Sequence, residues 1–280
     1  MATIGFLTSR ELADLTDDDR LVVPHLASRG VRVEPFVWTD EHAGAGAFDL
    51  VVIRSPWDWQ TEPRRFATLL GSLPRLENRH AARWMDKRYL LDLAARGVRV
   101  IPTEVVSSPD ALAECKYPRA VLKPALGAGG HRTWRFDAGD VRRVADLARA
   151  SHVEGALILQ PYVEEVETDG EWSLLFYDGV YSHALKKRAA KDEFRVHAEW
   201  GGTVERATPP DAVLADARRA LEAAGEKFLY ARVDGIVSAR LGGFCLTELE
   251  VVEPELFLRM DERAPARFAE AIVKRLERGE

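Results

Sequence analysis

Tyr230-Ala231-Arg232-Val233-Asp234-Gly235-Ile236-Val237-Ser238 runs, by way of Leu241-Gly242-Gly243, into Phe244-Cys245-Leu246-Thr247-Glu248-Leu249-Glu250-Val251-Val252. Two apolar, β-rich runs around a glycine pair predict a hairpin over residues 230–240 and 244–252. Side chains alternate along a strand, so Glu248 and Glu250 share one face while Thr247, Leu249 and Val251 share the other. Whether Asp234 joins the two glutamates depends on register. A three-residue turn, Leu241-Gly242-Gly243, places position 234 opposite 250; a two-residue Gly-Gly turn places it opposite 251 and separates the carboxylates. Three carboxylates on one face repel unless a cation sits among them, and an all-oxygen set suits magnesium. Arg232, two residues before Asp234, would point at the same pocket and could bind phosphate. A solvated outer face accounts for Glu248 and Glu250 equally well.

Upstream, Leu122-Lys123-Pro124 is followed by Gly127-Ala128-Gly129-Gly130. A lysine in an apolar strand is seldom buried without a partner, so Lys123 is expected to reach an anion across its sheet. Gly127, Gly129 and Gly130 let backbone N–H groups approach phosphate oxygens with no side chain between. A plain glycine turn beside a snorkelling lysine is the competing reading. No serine or threonine follows the loop, and the next element is a strand, which excludes the Gly-Lys-Ser/Thr phosphate loop and the dinucleotide fingerprint. Gln160-Pro161-Tyr162-Val163 closes an apolar strand and reads as a hinge whose backbone could pair with an adenine edge, or as an ordinary exit from the strand.

The remaining chain organises around these segments. Residues 4–7, 31–38 and 49–54 read as strands and 18–28 as a helix, a β-α-β alternation that predicts a small parallel-sheet domain over residues 1–85. Ligands in such sheets sit beyond the carboxyl ends of the strands, where Arg54-Ser55-Pro56-Trp57-Asp58-Trp59 falls. Helices are expected at 81–96, 137–151, from Pro209-Pro210-Asp211 to about 224, and from Ala264. Strands are expected at 98–106, 120–124, 131–136, 156–163, 172–177, 180–187 and 194–199. Arg195 and His197 would share a face of the last of these, touching a substrate anion or water. Trp57 and Trp59 could wall a pocket or pack in the core.

A chain of 280 residues with net charge −6 gives no electrostatic reason for a nucleic-acid or membrane partner. Charges interrupt every apolar stretch well short of the ~20 residues of a membrane span, and the N-terminus lacks a basic region before a signal-length apolar run. A cytoplasmic protein is the expectation. Two cysteines, Cys115 and Cys245, are too few for a disulfide framework, and the seven histidines show no metal-ligand spacing.

Taken in order, these motifs resemble the ATP-grasp superfamily of carboxylate–amine ligases from about Asp86 onward. The fold implied is α/β (α+β): a small domain over residues 1–85, then a two-lobed ATP-grasp domain over 86–280, with a lid lobe at about 117–160 and a C-terminal lobe at about 161–280. The stretch from Gly170-Glu171-Trp172 through Lys187 to Gly201-Gly202 is most similar to the glutathione-synthetase branch. Arg54-Ser55-Pro56-Trp57-Asp58-Trp59, Asp86-Lys87-Arg88-Tyr89 and Glu248-Leu249-Glu250-Val251-Val252-Glu253-Pro254 resemble the small-ligase group that contains the cycloserine-forming O-ureido-D-serine cyclo-ligase.

The resemblance implies ATP and Mg²⁺ as cofactors. Lys87 and Lys123 would contact the phosphates and the adenine region, with Gly127, Gly129 and Gly130 closing above. Gln160, Tyr162 and Val163 would form the adenine hinge, Glu171 would hold the ribose, and Lys187 would reach a phosphate. Asp234, Glu248 and Glu250 would bind metal, Glu250 standing where the superfamily usually has asparagine, while Arg232 would stabilise the transferring phosphoryl group. Arg54, Trp57, Asp58, Arg195, His197 and Glu253 are the candidate contacts to a small-molecule, amino-acid-derived substrate. Related ligases are often dimers, so a homodimer is one option; the sequence does not fix the oligomeric state. An ATP-binding regulatory module and a small-molecule kinase of the same fold are the alternatives to ligation.

Overall fold

The expected hairpin forms one edge of a five-stranded antiparallel sheet. In the computed structural model, residues 1–278 are described apart from 41–45, 47, 153–154, 192 and 197–199. Strands β1 (Ala2–Thr8), β2 (Val31–Val37) and β3 (Leu50–Ser55) form a parallel sheet in the order β2-β1-β3. Strands β4 (Glu104–Val106), β5 (Arg119–Pro124), β6 (Trp134–Asp137) and β7 (Leu157–Pro161) form an antiparallel sheet in the order β4-β7-β5-β6. Strands β8 (Glu171–Tyr177), β9 (Val180–Arg188), β10 (Thr203–Arg206), β11 (Tyr230–Ser238) and β12 (Gly243–Glu250) make the third sheet, ordered β10-β9-β8-β11-β12.

Strand alternation distributes the apolar residues of the parallel sheet between two cores. Leu7, Val51 and Ile53 pack with Leu174, Phe176, Val233 and Leu246 of the five-stranded sheet and with Ala217 of the helix Asp211–Ala224. Ile4, Phe6 and Val52 pack with Leu175, Tyr230 and Phe268, the last from the helix Ala264–Arg278. The N-terminal sheet and the five-stranded sheet are thereby fused. The four-stranded sheet has its own core instead, with Leu122, Phe136 and Leu159 beneath Val144 and Ala148 of the helix Val141–Ala150.

The register of the hairpin differs from both expectations. Ser238 pairs with Gly243, so four residues make the turn, and a bulge after Asp234 leaves Thr247 as the extra residue. Without that bulge Asp234 would face Thr247. With it, Asp234 lies opposite Glu248 and Arg232 opposite Glu250, and all four side chains share a face. Gly235 beside the bulge admits no side chain, because a Cβ there would overlap the Phe244 ring and lie 2.7 Å from the Cys245 carbonyl oxygen.

Four other elements differ. Residues 81–96 are two helices, Ala81–Trp84 and Tyr89–Ala95, because the Lys87 N–H donates to the Ala125 carbonyl (2.8 Å) instead of continuing a helix. The helix expected over 18–28 is likewise two pieces, Asp17–Arg20 and Val23–Ala27. Of residues 98–106 only β4 is a strand. Residues 194–196 are not a strand, since the Glu193 carboxylate accepts the N–H groups of Phe194 and Arg195 that a ladder would use; β10 pairs with β9 in their place.

Candidate functional site

Two strands put the charges together. On β11, Arg232 and Asp234 point into the cleft; on β12, Glu248 and Glu250 do. Arg232 lies between two carboxylates, its Nη2 3.0 Å from Asp234 Oδ2 and 2.6 Å from Glu250 Oε1, while its Nη1 donates to the Glu255 carbonyl (3.1 Å). Asp234 also accepts from Ser173 (2.6 Å) and from Lys187 Nζ (3.4 Å). Lys187 reaches Glu171 at 3.6 Å, and Glu171 accepts from Thr247, the bulge residue, at 3.0 Å. Lys186 faces away, over the Trp172 ring and bonded to Asp169. From the other side of the cleft, Lys123 donates to Glu248 at 3.1 Å and Lys87 comes within 3.7 Å of it.

Two cavities meet at this cluster. One, of about 150 Å³, runs from Lys87, Lys123 and the glycine loop to Gln160, Tyr162 and Val163, and is walled by Ile101, Val121, Val166 and Ile236. The other, of about 320 Å³, is lined by Trp57, Trp59, Gln60, Lys187, Arg232, Glu253 and Glu255. Lys87, Glu248, Glu250 and residues 127–129 line both. The glycine loop forms the shared roof. Gly129 and Gly130 both hold left-handed conformations, φ +64° and +69°. Three partners grip the roof: Lys87 Nζ donates to the Gly127 carbonyl, the Ala128 N–H donates to Gln60 Oε1 (3.2 Å), and Trp200 Nε1 donates to the Gly129 carbonyl (3.1 Å).

The structure divides the remaining candidates. Gln160 lines the smaller cavity and donates to Thr103 (2.9 Å). The backbone of Tyr162 is spent, its N–H on the Arg119 carbonyl and its carbonyl on Arg240. Arg195 lines the smaller cavity, held by Glu193 (2.6 Å) and lying over the Trp200 ring. Trp57 and Glu253 line the larger cavity. Arg54 and Asp58 line neither. Arg54 is buried, bonded to Asp19 (2.8 Å) and to the Pro254 carbonyl (3.2 Å), and Asp58 accepts the Trp38 indole N–H (2.6 Å). Both are struts of the fold, not walls of a pocket. His197 lies outside the described residues.

Sequence reasoning missed Gln60, Glu255 and the apolar walls Ile101, Val166 and Ile236. Alternation from Glu253 would have flagged Glu255, but the walls come from distant segments and carry no local signal.

A family model for the N-terminal domain of D-cycloserine synthetase DcsG matches residues 4–79. The chain is 37% identical over 274 residues to the cycloserine biosynthesis protein DcsG of Streptomyces lavendulae, covering 89% of this chain and 90% of that protein. The crystal structure of D-cycloserine synthetase DcsG matches at TM-score 0.87 and 31% identity, over 98% of this chain and 99% of that one. The chain belongs to the DcsG family. The D-alanine–D-alanine ligase of Bacillus anthracis, 14% identical with TM-score 0.68 over 99% of this chain and 98% of that one, shares the fold. The resemblance to the ATP-grasp ligases therefore holds, and the protein is an ATP-dependent carboxylate–amine ligase.

The electrostatics of the ligase site follow from burial and pairing. Burial opposes the Arg232 charge, yet Asp234 and Glu250 outweigh it and hold the guanidinium above its ordinary value. Burial likewise raises Asp234, but Arg232 and Lys187 pull it below the usual carboxylate range. For Glu171 burial wins over Lys187, and its carboxyl is pushed up to about 7. Glu250 is also raised by burial, against the pull of Arg232.

The donor set fits a hard divalent cation, being all oxygen, with Glu248 and Glu250 opening into the cavities. Among the described residues no three His, Cys, Asp or Glu side chains already converge on one point. Lys123, Lys187 and Arg232 each hold a carboxylate, and Asp234 in particular is the counter-ion of Arg232 and Lys187.

Proposed function

We propose that the protein activates the carboxylate of a small, amino-acid-derived molecule as an acyl phosphate and closes a C–N bond upon it, within the same molecule as in cycloserine formation. The observation that carries this reading is the seam at which Lys87, Glu248 and Glu250 line two cavities at once, beneath one glycine loop. The smaller cavity suits ATP. Gln160 and Val163 would meet the adenine with Tyr162 behind them, Glu171 the ribose, and Lys87, Lys123, Lys187 and the N–H groups of residues 127–130 the phosphates. Glu248 and Glu250, with Asp234 behind them, would hold Mg²⁺, which when bound neutralises phosphate charge.

In the first step a substrate carboxylate oxygen attacks the terminal phosphorus, and ADP leaves. Arg232, fixed between Asp234 and Glu250, is placed to stabilise the transferring group. In the second step an amine nitrogen attacks the acyl carbon, and phosphate leaves. The acyl phosphate must be kept from water, which gives the glycine roof its role as a lid. We place this chemistry in the cytoplasm, on a free small molecule and in a homodimer. No described helix is long and apolar enough to cross a membrane.

The test is purified protein with ATP, Mg²⁺, O-ureido-D-serine and a panel of amino acids, scored for ADP, free phosphate and product mass. Substrate-dependent release of both ADP and phosphate with loss of the substrate supports ligation. ADP release with phosphate retained on the product would make the protein a kinase.

A further inference from the structure

Nearly every carboxylate around the cleft stands beside a cation of the protein. Asp234 and Glu250 have Arg232 at 3.0 and 2.6 Å, Glu248 has Lys123 at 3.1 Å, Glu171 has Lys187 at 3.6 Å, and Glu255 has Arg259 at 2.7 Å. Glu253 departs from this pattern. Among the described residues its side chain accepts from the uncharged indole N–H of Trp59 at 2.5 Å and from its own backbone N–H, and forms no ion pair.

The residue is also held firmly. Its backbone carbonyl accepts from Trp57 Nε1 (3.1 Å), and the next carbonyl, of Pro254, accepts from buried Arg54 (3.2 Å). This anchoring presents the carboxyl to the larger cavity, whose wall also carries Trp57, Trp59, Lys187 and Arg232. A carboxylate drawn largely out of water with no cation in contact with it is unfavourable. Burial accordingly pushes Glu253 up to about 7, with the Trp59 bond and the more distant charge of Lys87 offsetting only part of the rise. Lys87 lines the same cavity but acts on Glu253 only from beyond ion-pair distance, so contact with a cation is what this carboxyl lacks.

We propose that Glu253, framed by Trp57 and Trp59, is the receptor for the ammonium group of an α-amino-acid substrate. The assignment rests on the ligase reading above and adds to it the residue that would hold the amino group and the orientation this gives the molecule. An ammonium group brings the missing charge and three donors, and indole rings are favourable neighbours for it. With the ammonium on Glu253, the carboxylate of the same molecule is left for Arg232 and Lys187 on the same wall. Glu253 is thus a specificity residue, which touches substrate but takes no part in phosphoryl transfer.

The test compares two probes, O-ureido-D-serine and 3-(ureidooxy)propanoic acid, which differ only in the ammonium group. Binding of each is measured by calorimetry on the full chain with Mg²⁺ and a non-hydrolysable ATP analogue. Wild type is expected to bind the amino acid about 50-fold more tightly, the scale of losing one partner of a buried charge pair. Glu253→Gln should shrink that gap to about threefold or less by weakening the amino acid alone, with nucleotide affinity unchanged. Trp59→Phe keeps the carboxylate and should keep most of the gap.

Equal binding of the two probes by wild type overturns the proposal without any variant, and so does a Glu253→Gln protein that weakens both alike. Should neither probe bind wild type, the amino-acid receptor falls as well. Turnover, scored in parallel as ADP and phosphate, reports separately on ligation. A binding gap without turnover would remove the ligase reading and keep the ammonium receptor.

Discussion

The four-stranded sheet β4–β7 and the five-stranded sheet β8–β12 face one another across the cleft, but they are secured in different ways. The five-stranded sheet shares two cores with the N-terminal sheet, through residues such as Ile53 with Leu174 and Phe6 with Tyr230. The four-stranded sheet keeps a separate core around Leu122 and Leu159. It meets the rest through a patch that includes Tyr162, Val163, Ile236 and Cys245, and through the hydrogen bonds on the glycine roof. Arg232, Asp234, Glu248 and Glu250 all stand on the fused part. Lys123, the roof and half the hinge stand on the separate lobe. The groups that must hold fixed geometry against developing charge are therefore on the rigid side, and those that must open for nucleotide are on the side with its own core.

The largest test of this division pairs Glu248→Gln with Lys123→Ala. Glu248→Gln should lower kcat about 10³-fold, roughly 4 kcal/mol of transition-state stabilisation, while the thermal shift induced by ATP persists. Lys123→Ala should reduce that ATP-induced shift. A Glu248→Gln enzyme with the wild-type rate at saturating Mg²⁺ would remove the metal assignment.

Next in size is a pair of cavity-creating substitutions. Leu122→Ala in the separate lobe and Leu174→Ala in the fused part each delete a fully buried side chain, at a cost of about 3 kcal/mol. Hydrogen exchange should then report a local effect for the first, confined to β4–β7, and a loss of protection throughout β1, β3 and β8–β12 for the second. If Leu122→Ala loosens β11 as much as β5, the lobe has no independence.

How much of this was open to sequence reading depends on how local the cause is. The alternation of Glu248 and Glu250, the Lys123-Pro124 strand and the glycine run are local patterns, and each lies where such patterns put it. Register is not local. Asp234 reaches Glu248 only because Thr247 is an extra residue in its strand, and the one trace of that was Gly235, an isolated glycine within a strand. The break that frees Lys87 has no glycine or proline to announce it; a hydrogen bond to Ala125, just past the end of β5, makes it. Arg54 misled in the opposite direction, since a charge at a strand end reads as a pocket residue until its partner Asp19, far along the chain, is known.

The ionic wall makes a pH-dependent test of the fused part. Glu171 has a folded value of about 7 against an ordinary 4.5, so it favours the fold as the neutral acid. That contribution is present in full below pH 4.5 and is lost as pH rises through about 7. Glu171→Gln cannot lose it. The variant should therefore gain stability relative to wild type between pH 5 and pH 8, by about 3 kcal/mol at most. Urea melts at the two pH values that move in parallel for both proteins would show Glu171 already ionised in the fold.

The smallest expected effect concerns the contact between the two regions. Gln60 belongs to the short 3-10 helix Trp59–Thr61 of the N-terminal domain, and its carboxamide oxygen accepts the Ala128 N–H of the roof (3.2 Å). One hydrogen bond of this kind contributes about 1 kcal/mol, enough to shift closure several-fold without unfolding either region. Gln60→Ala should leave the melting temperature nearly unchanged while raising the fraction of ADP formed without ligated product, because a looser roof admits water to the acyl phosphate. Gln60→Glu keeps the acceptor and should behave more like wild type. Equal coupling of ADP to product in all three proteins would mean that Lys87 and Trp200 suffice to hold the roof, and that the N-terminal domain shapes the substrate cavity without governing its closure.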